Sequence, residues 1–186
     1  FLFIFVMWLL FLFFLFFFGV TVVFLDGVID SWVSLYMRDY ILAEGFNIGL
    51  ATIAFNVSMV FGRLIGDKLK EIFGIYNFLV FSVIGSFIGS LFIASSSSLL
   101  FTILGFLVAG FCVSSIIPIC YTFGASIENL NPTVGITIIT IGVYGVFMID
   151  PPALGNVAGN YGIENGYTQM IILFLYIREI VIFKKK

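Results

Sequence analysis

The chain has no histidine among its 186 residues. That removes the imidazole general acid or base and the commonest metal ligand. Charge is scarce: 10% of residues carry one, where a soluble domain has about 25%. Eight Lys plus Arg face ten Asp plus Glu, so there is no basic surface for nucleic acid. The two cysteines, Cys112 and Cys120, lie in one apolar run. They lack the spacing of a metal site or a disulfide framework and read as small core hydrophobes. No basic stretch precedes the first apolar run, and the first charge is Asp26, so the run is too long for a signal-peptide core. No phosphate-binding loop is present to couple the chain to ATP.

What is abundant is apolar surface. Hydrophobic residues make up 62% of the chain and aromatics 19%, with mean hydropathy +1.24. Too few polar residues remain to cover a water-facing surface, which excludes soluble and disordered chains. The fold class expected is an all-α membrane protein. At about 20 residues per span the length allows roughly five to seven helices.

Charged and polar punctuation divides the chain into six spans, at about 11–37, 47–65, 75–94, 99–122, 133–155 and 166–183. Residues 1–10 are a low-complexity apolar start or the end of a preceding segment; nine of the first 18 residues are Phe. Residues 1–36 would be about 50 Å long as one helix, more than a hydrocarbon core of about 30 Å. Since the chain begins at Phe1, it is expected to be a piece of a longer protein. Alternate connections hold Arg63, Lys68 and Lys70, then Arg178 with Lys184, Lys185 and Lys186. Seven of the eight basic residues thus fall on one side, opposite Arg38. The positive-inside rule makes that side, and the C-terminus, cytoplasmic in the inner membrane.

Three acids stay within the spans. Asp26 and Asp30 are four apart and share a helix face. An Asp at the centre of a spanning helix costs about 2.5–3.5 kcal/mol on insertion scales, so such residues usually face a cavity or ion path. Neighbouring carboxylates also titrate as a pair, which suits proton coupling. The plainer alternative is hydration near the interface. Asp150 precedes Pro151 and Pro152, which lack backbone donors, so a helix break is expected there. Broken helices often line transporter sites; a packed kink is the alternative. Trp32 and Tyr36 suit either a solute or an interface belt. Asn56 within the second span suits either a solute or interhelical bonding. Gly62/Gly66, Gly85/Gly89 and Gly155/Gly159 have the spacing of close helix packing.

Gly62-Arg63-Leu64-Ile65-Gly66-Asp67-Lys68 after the second span resembles the signature between the second and third helices of each half of a major facilitator superfamily (MFS) transporter. Its leading Gly stands one residue early, and the later Gly comes late, at Gly74. Asp26-Gly27, Trp32, Tyr36 and Arg38-Asp39 are similar to the seventh helix of a bacterial branch of that family. Gly142, Gly145 and Pro151-Pro152 are similar to its eleventh. The resemblance covers about 20–183 and implies the C-terminal six-helix half, helices 7–12 of a 12-helix transporter. It implies secondary active transport of a small solute by alternating access, open to proton coupling, with an N-terminal six-helix half as partner in the lipid bilayer. Gly62, Arg63, Gly66, Asp67 and Lys68 would form a conformational gate. Asp26, Asp30, Asp150, Trp32 and Asn56 would line the path of the solute or proton. No metal or cofactor is implied. The alternatives are a non-transporting half that needs a partner chain, and a membrane-embedded enzyme, for which no nucleophile–base pair exists.

Overall fold

Long charge-free apolar runs have one solution in lipid that satisfies their own backbone, the helix. The computed structural model describes residues 32–95, 98–127 and 130–161, together with 16, 19, 20, 22, 23, 26, 27, 29 and 30. The described residues from 16 to 39 are all helical and are called α1 here. There follow α2 (Asn47–Phe73), α3 (Ile75–Ser95), α4 (Leu99–Val113), α5 (Ile116–Ala125) and α6 (Pro132–Tyr161). No strand occurs among the described residues. The expected segment 1–10 and the expected span 166–183 lie outside them.

Among the described residues three stretches are long and apolar enough to cross a membrane: Asn47–Phe73, Ile75–Ile93 and Leu99–Ala125. Pro132–Gly145 is a shorter apolar helix. Large apolar side chains are exposed on α2, α3, α4 and α6: Val57, Val60 and Phe61 on α2, Phe81 and Ile84 on α3, Leu100 and Leu104 on α4, and Ile141 and Met148 on α6. A water-soluble surface rarely carries so continuous an apolar area. The chain is an all-helical membrane protein.

The helix ends follow local chemistry. The charged stretch 67–71, expected as a loop, is the last part of α2, because Lys and Glu are good helix formers. The stop is Gly74 at φ +78°, whose N–H bonds the Lys70 carbonyl at 2.9 Å. That is a glycine cap in a region L side chains avoid. Asn131 starts α6: its Oδ1 accepts from the Thr133 N–H at 3.0 Å, and Pro132 takes the first helical position.

Prolines produced two corrections. The fourth span, expected at about 99–122, is divided at Ser114-Ser115 into α4 and α5. Pro118 lacks the N–H that would bond the carbonyl four residues back, at Ser114. By contrast α6 stays helical through Asp150, Pro151 and Pro152, so that pair does not unwind it. α6 also runs past the expected span end at about 155, through Asn156 and Asn160.

Glycine seams hold the bundle. A Cβ on Gly62 would run into the Ser114 hydroxyl and approach the Phe111 carbonyl oxygen to 2.6 Å. One on Gly66 would meet Ser115, and one on Gly110 would meet Ser58 and the Phe55 carbonyl. These contacts pair α2 with α4 in parallel. Gly85, Gly89 and Gly105 pair α3 with α4 in the same close way. Without a hydrophobic drive between helices in lipid, such backbone approach supplies the attraction. Three buried hydroxyls are satisfied locally: Ser58 donates to the Phe55 carbonyl at 2.9 Å, and Ser86 and Ser90 donate one turn back at 2.7 and 3.0 Å. α1 packs alongside. Its Gly19 lies near Ile139 and Cys120, and its Phe16 faces Gly142. Trp32 lies 3.9 Å from where a Gly155 Cβ would stand, so α1 and α6 run parallel.

Candidate functional site

The seven residues 40–46 join α1 to α2. So short a connection makes the helices antiparallel neighbours. Asp26 lies 13 residues before the end of α1 and Arg63 lies 16 residues into α2, so both are about 20–24 Å from this turn. The two belonged to separate groups in the sequence reading, path and gate. In the structure they lie on adjacent helices at a similar distance from the turn. Asp26 is half-buried; Asp30 and Arg63 are exposed. One Arg63 Nη donates to the Met59 sulfur at 3.1 Å.

The signature residues divide by face. Gly62 and Gly66 are buried in the α2–α4 seam, where they are packing residues. Arg63, Asp67 and Lys68 are exposed. Asp67 pairs with Lys70, one turn on, at 2.5 Å, rather than with Arg63 or Lys68. Lys70 was absent from the expected set. The spacing of three on a helix was its signal.

The other candidates are scattered. Asn56 is exposed, and its Nδ2 donates to the Thr52 carbonyl at 3.1 Å. It shares a helix face with Arg63, seven residues on. Trp32 is half-buried against the core, beside Gly155. Asp150 and Pro151 are helical in α6, but their side chains lie outside what the structure describes; Pro152 is exposed. Tyr36 is buried, and its hydroxyl donates to the Ile93 carbonyl at 2.7 Å. It also stacks on Tyr40, with ring centroids 5.1 Å apart.

At the turn, Arg38 grips Asp39 through two hydrogen bonds, of 2.6 and 3.0 Å. That bonding holds the Asp39 carboxyl below its ordinary value and raises the Arg38 guanidinium further. Among the described residues no three His, Cys, Asp or Glu side chains converge as a metal site would require.

Three curated proteins are similar to the chain. Membrane protein MosC of Rhizobium meliloti is 28% identical over 144 residues, 74% of this chain and 34% of its own length. An uncharacterised MFS-type transporter of Yersinia pestis is 26% identical over 133 residues, 72% of this chain and 35% of its own. An uncharacterised transporter of Sinorhizobium fredii is 24% identical, with the same shares covered. The chain thus spans about a third of the length of the curated relatives it matches. No family model matches, and no solved structure matches. The likeness is to multi-pass, MFS-like membrane proteins, which agrees with the all-helical apolar bundle.

Proposed function

We propose that the chain is part of a secondary active transporter of the MFS type. It moves a small solute across the cytoplasmic membrane by alternating access, driven by a gradient and coupled to protons through Asp26, Asp30 or Asp150. In this reading it supplies helices 7–12, its C-terminus is cytoplasmic, and a second six-helix half completes the path.

One observation carries the reading: opposite charges on adjacent helices, Asp26 and Arg63, at a similar depth of a largely apolar bundle. Charges at that depth are retained where they face water, a solute or each other. The likeness to an MFS-type transporter supports it. Transport needs no nucleophile or metal, which suits a site made of carboxylates, a guanidinium and an amide. The gate falls to Arg63 and Asp67, with Lys70 in place of Lys68 as the partner of Asp67.

The test is uptake and counterflow by the complete protein in vesicles. Asp26→Asn abolishes gradient-driven uptake and spares counterflow if Asp26 carries the coupling proton. Equal uptake in both proteins removes that role. A second reading is a half that transports nothing without a partner; the third of the relatives' length that the chain spans favours keeping it. Co-purification of a separate six-helix chain would favour this second reading.

A further inference from the structure

The break between α4 and α5 frees backbone polar groups inside the bundle. Cys112, Val113, Ser114, Ser115 and Ile116 are all buried there, at most 4% exposed. The Gly110 carbonyl accepts from the Ser114 N–H at 3.2 Å, and the Phe111 carbonyl accepts from the Ser114 hydroxyl at 2.7 Å. No backbone bond crosses the break from Ile116 or Ile117 to the carbonyls of Cys112 or Val113. Pro118 has no N–H to give the Ser114 carbonyl. Buried backbone groups are rarely left in that condition.

Ser82 faces this break from α3. Its hydroxyl is buried and has no partner among the described residues, whereas Ser86 and Ser90 on the same helix each bond a carbonyl one turn back. Ser82 stands seven residues before Gly89 and so on the same face of α3. Gly89 packs against Gly105 and Ala109 of the antiparallel α4. Seven residues further along are Cys112 and Ile116, which bracket the break. Gly85 keeps the same register, since it packs against Cys112. The freed groups of a broken membrane helix are satisfied by neighbouring helices, by hydroxyls or by ordered water. The other hydroxyls here are turned elsewhere: Ser114 to the Phe111 carbonyl, and Ser115 to the Gly62 carbonyl at 3.5 Å.

We propose that the α4–α5 break is a binding site for a buried water molecule, held by the Ser82 hydroxyl and by freed backbone groups between Cys112 and Ile117. The ligand follows from its partners. The carbonyls of Cys112, Val113 and Ser114 are acceptors, and the N–H groups of Ile116 and Ile117 are donors. The Ser82 hydroxyl serves as either. Water satisfies both kinds at once, and roughly two to four polar partners hold it in a protein interior. A bare cation would instead meet the positive N-terminal end of α5. The site does not depend on the transport reading, since structural water is held whether or not a solute passes.

X-ray radiolysis of the full chain in detergent tests it, because hydroxyl radicals form on bound water and oxidise the side chain beside it. Cys112 and Cys120 are both buried free thiols, closed to radicals from bulk water. Cys112 borders the break, and Cys120 lies within α5, near Gly19. Mass spectrometry after irradiation should find Cys112 oxidised faster than Cys120. Ser82→Ala should lower Cys112 to the Cys120 rate. Ser86→Ala should leave it unchanged, since that hydroxyl is already bonded to the Ser82 carbonyl. The two thiols of the unsubstituted protein make the comparison even where Ser82→Ala does not fold. Equal rates for the two thiols, or an unchanged Cys112 rate in Ser82→Ala, overturns the proposal. So does a Cys112 rate that changes when choline replaces Na+, which would put a cation at the break. Loss of uptake in Asp26→Asn bears on transport alone.

Discussion

The Tyr36 hydroxyl donates to the Ile93 carbonyl oxygen at 2.7 Å, across 57 positions of sequence. Ile93 lies in the last turn of α3, where carbonyls have no intrahelical donor. Both residues are buried, so water is not the alternative partner. The bond ties the turn end of α1 to the end of α3. Tyr36→Phe keeps the ring and its stacking on Tyr40 but orphans that carbonyl. The expected loss is about 1 kcal/mol, since interhelical bonds in membranes average about 0.6 and reach about 1.7 kcal/mol. Thermal unfolding in detergent should show a lowered midpoint at unchanged helix content. An unchanged midpoint would show that the bond adds nothing to stability.

Gly62 and Gly49 provide a matched pair on α2. Around Gly62 an added Cβ meets Ser114 and the Phe111 carbonyl oxygen, which cannot rotate away. Around Gly49 nothing lies within 4 Å. Gly62→Ala should therefore destabilise by about 1–3 kcal/mol, the usual cost of overpacking. Gly49→Ala should be neutral or stabilising by up to about 1 kcal/mol, from helix propensity. The comparison, made by thermal unfolding in detergent, separates packing from gating at Gly62. Similar midpoints for the two variants would mean that the α2–α4 seam tolerates a methyl group.

Much of this architecture is local in origin. The starts of α2, α3 and α4, at Asn47, Ile75 and Leu99, lie where polar punctuation gives way to apolar runs. Charge does not stop α2. Lys68, Lys70 and Glu71 continue a helix, and only Gly74 ends one. Pro118 and Pro151 show why proline alone does not locate a break. One coincides with a division into two helices, and the other lies inside a continuous one. The lost bond is the same in both, so the difference comes from packing. The site was legible as residue types and not as an arrangement. Nothing in the spacing of Asp26 and Arg63 puts them together, because register between antiparallel helices is set by the turn and the seams.

The Arg38–Asp39 pair predicts a pH and salt dependence. Asp39 titrates below its ordinary value of 3.8 because Arg38 bonds its ionised form. A depressed carboxyl stabilises the folded state above the unfolded value and loses that effect as pH falls through the folded one. Asp39→Asn should thus differ from wild type near neutral pH and converge with it well below 3.8. Both side chains are open to solvent, so the difference should be small and should shrink at about 1 M salt, where screening reaches about 3 Å. Thermal midpoints across pH and salt measure it. A difference that persists in strong acid would assign the effect to something other than this pair.

Asp67 and Lys70 form the pair nearest the Gly74 end of α2, and Asp67 is 83% exposed. An exposed ion pair contributes at most about 1 kcal/mol, so neither side chain is needed for folding. Gating requires more than folding: the pair must make and break as the bundle changes state. Asp67→Ala and Lys70→Ala should therefore alter the labelling of cysteine probes near Gly74 in the same direction and by similar amounts. Lys68→Ala should leave labelling unchanged, since Asp67 bonds Lys70 rather than Lys68. Restoring the pair with charges exchanged, Asp67→Lys with Lys70→Asp, should bring labelling part of the way back. If all three alanine variants label alike, the basic residues anchor the helix at the membrane surface and Asp67 gates nothing.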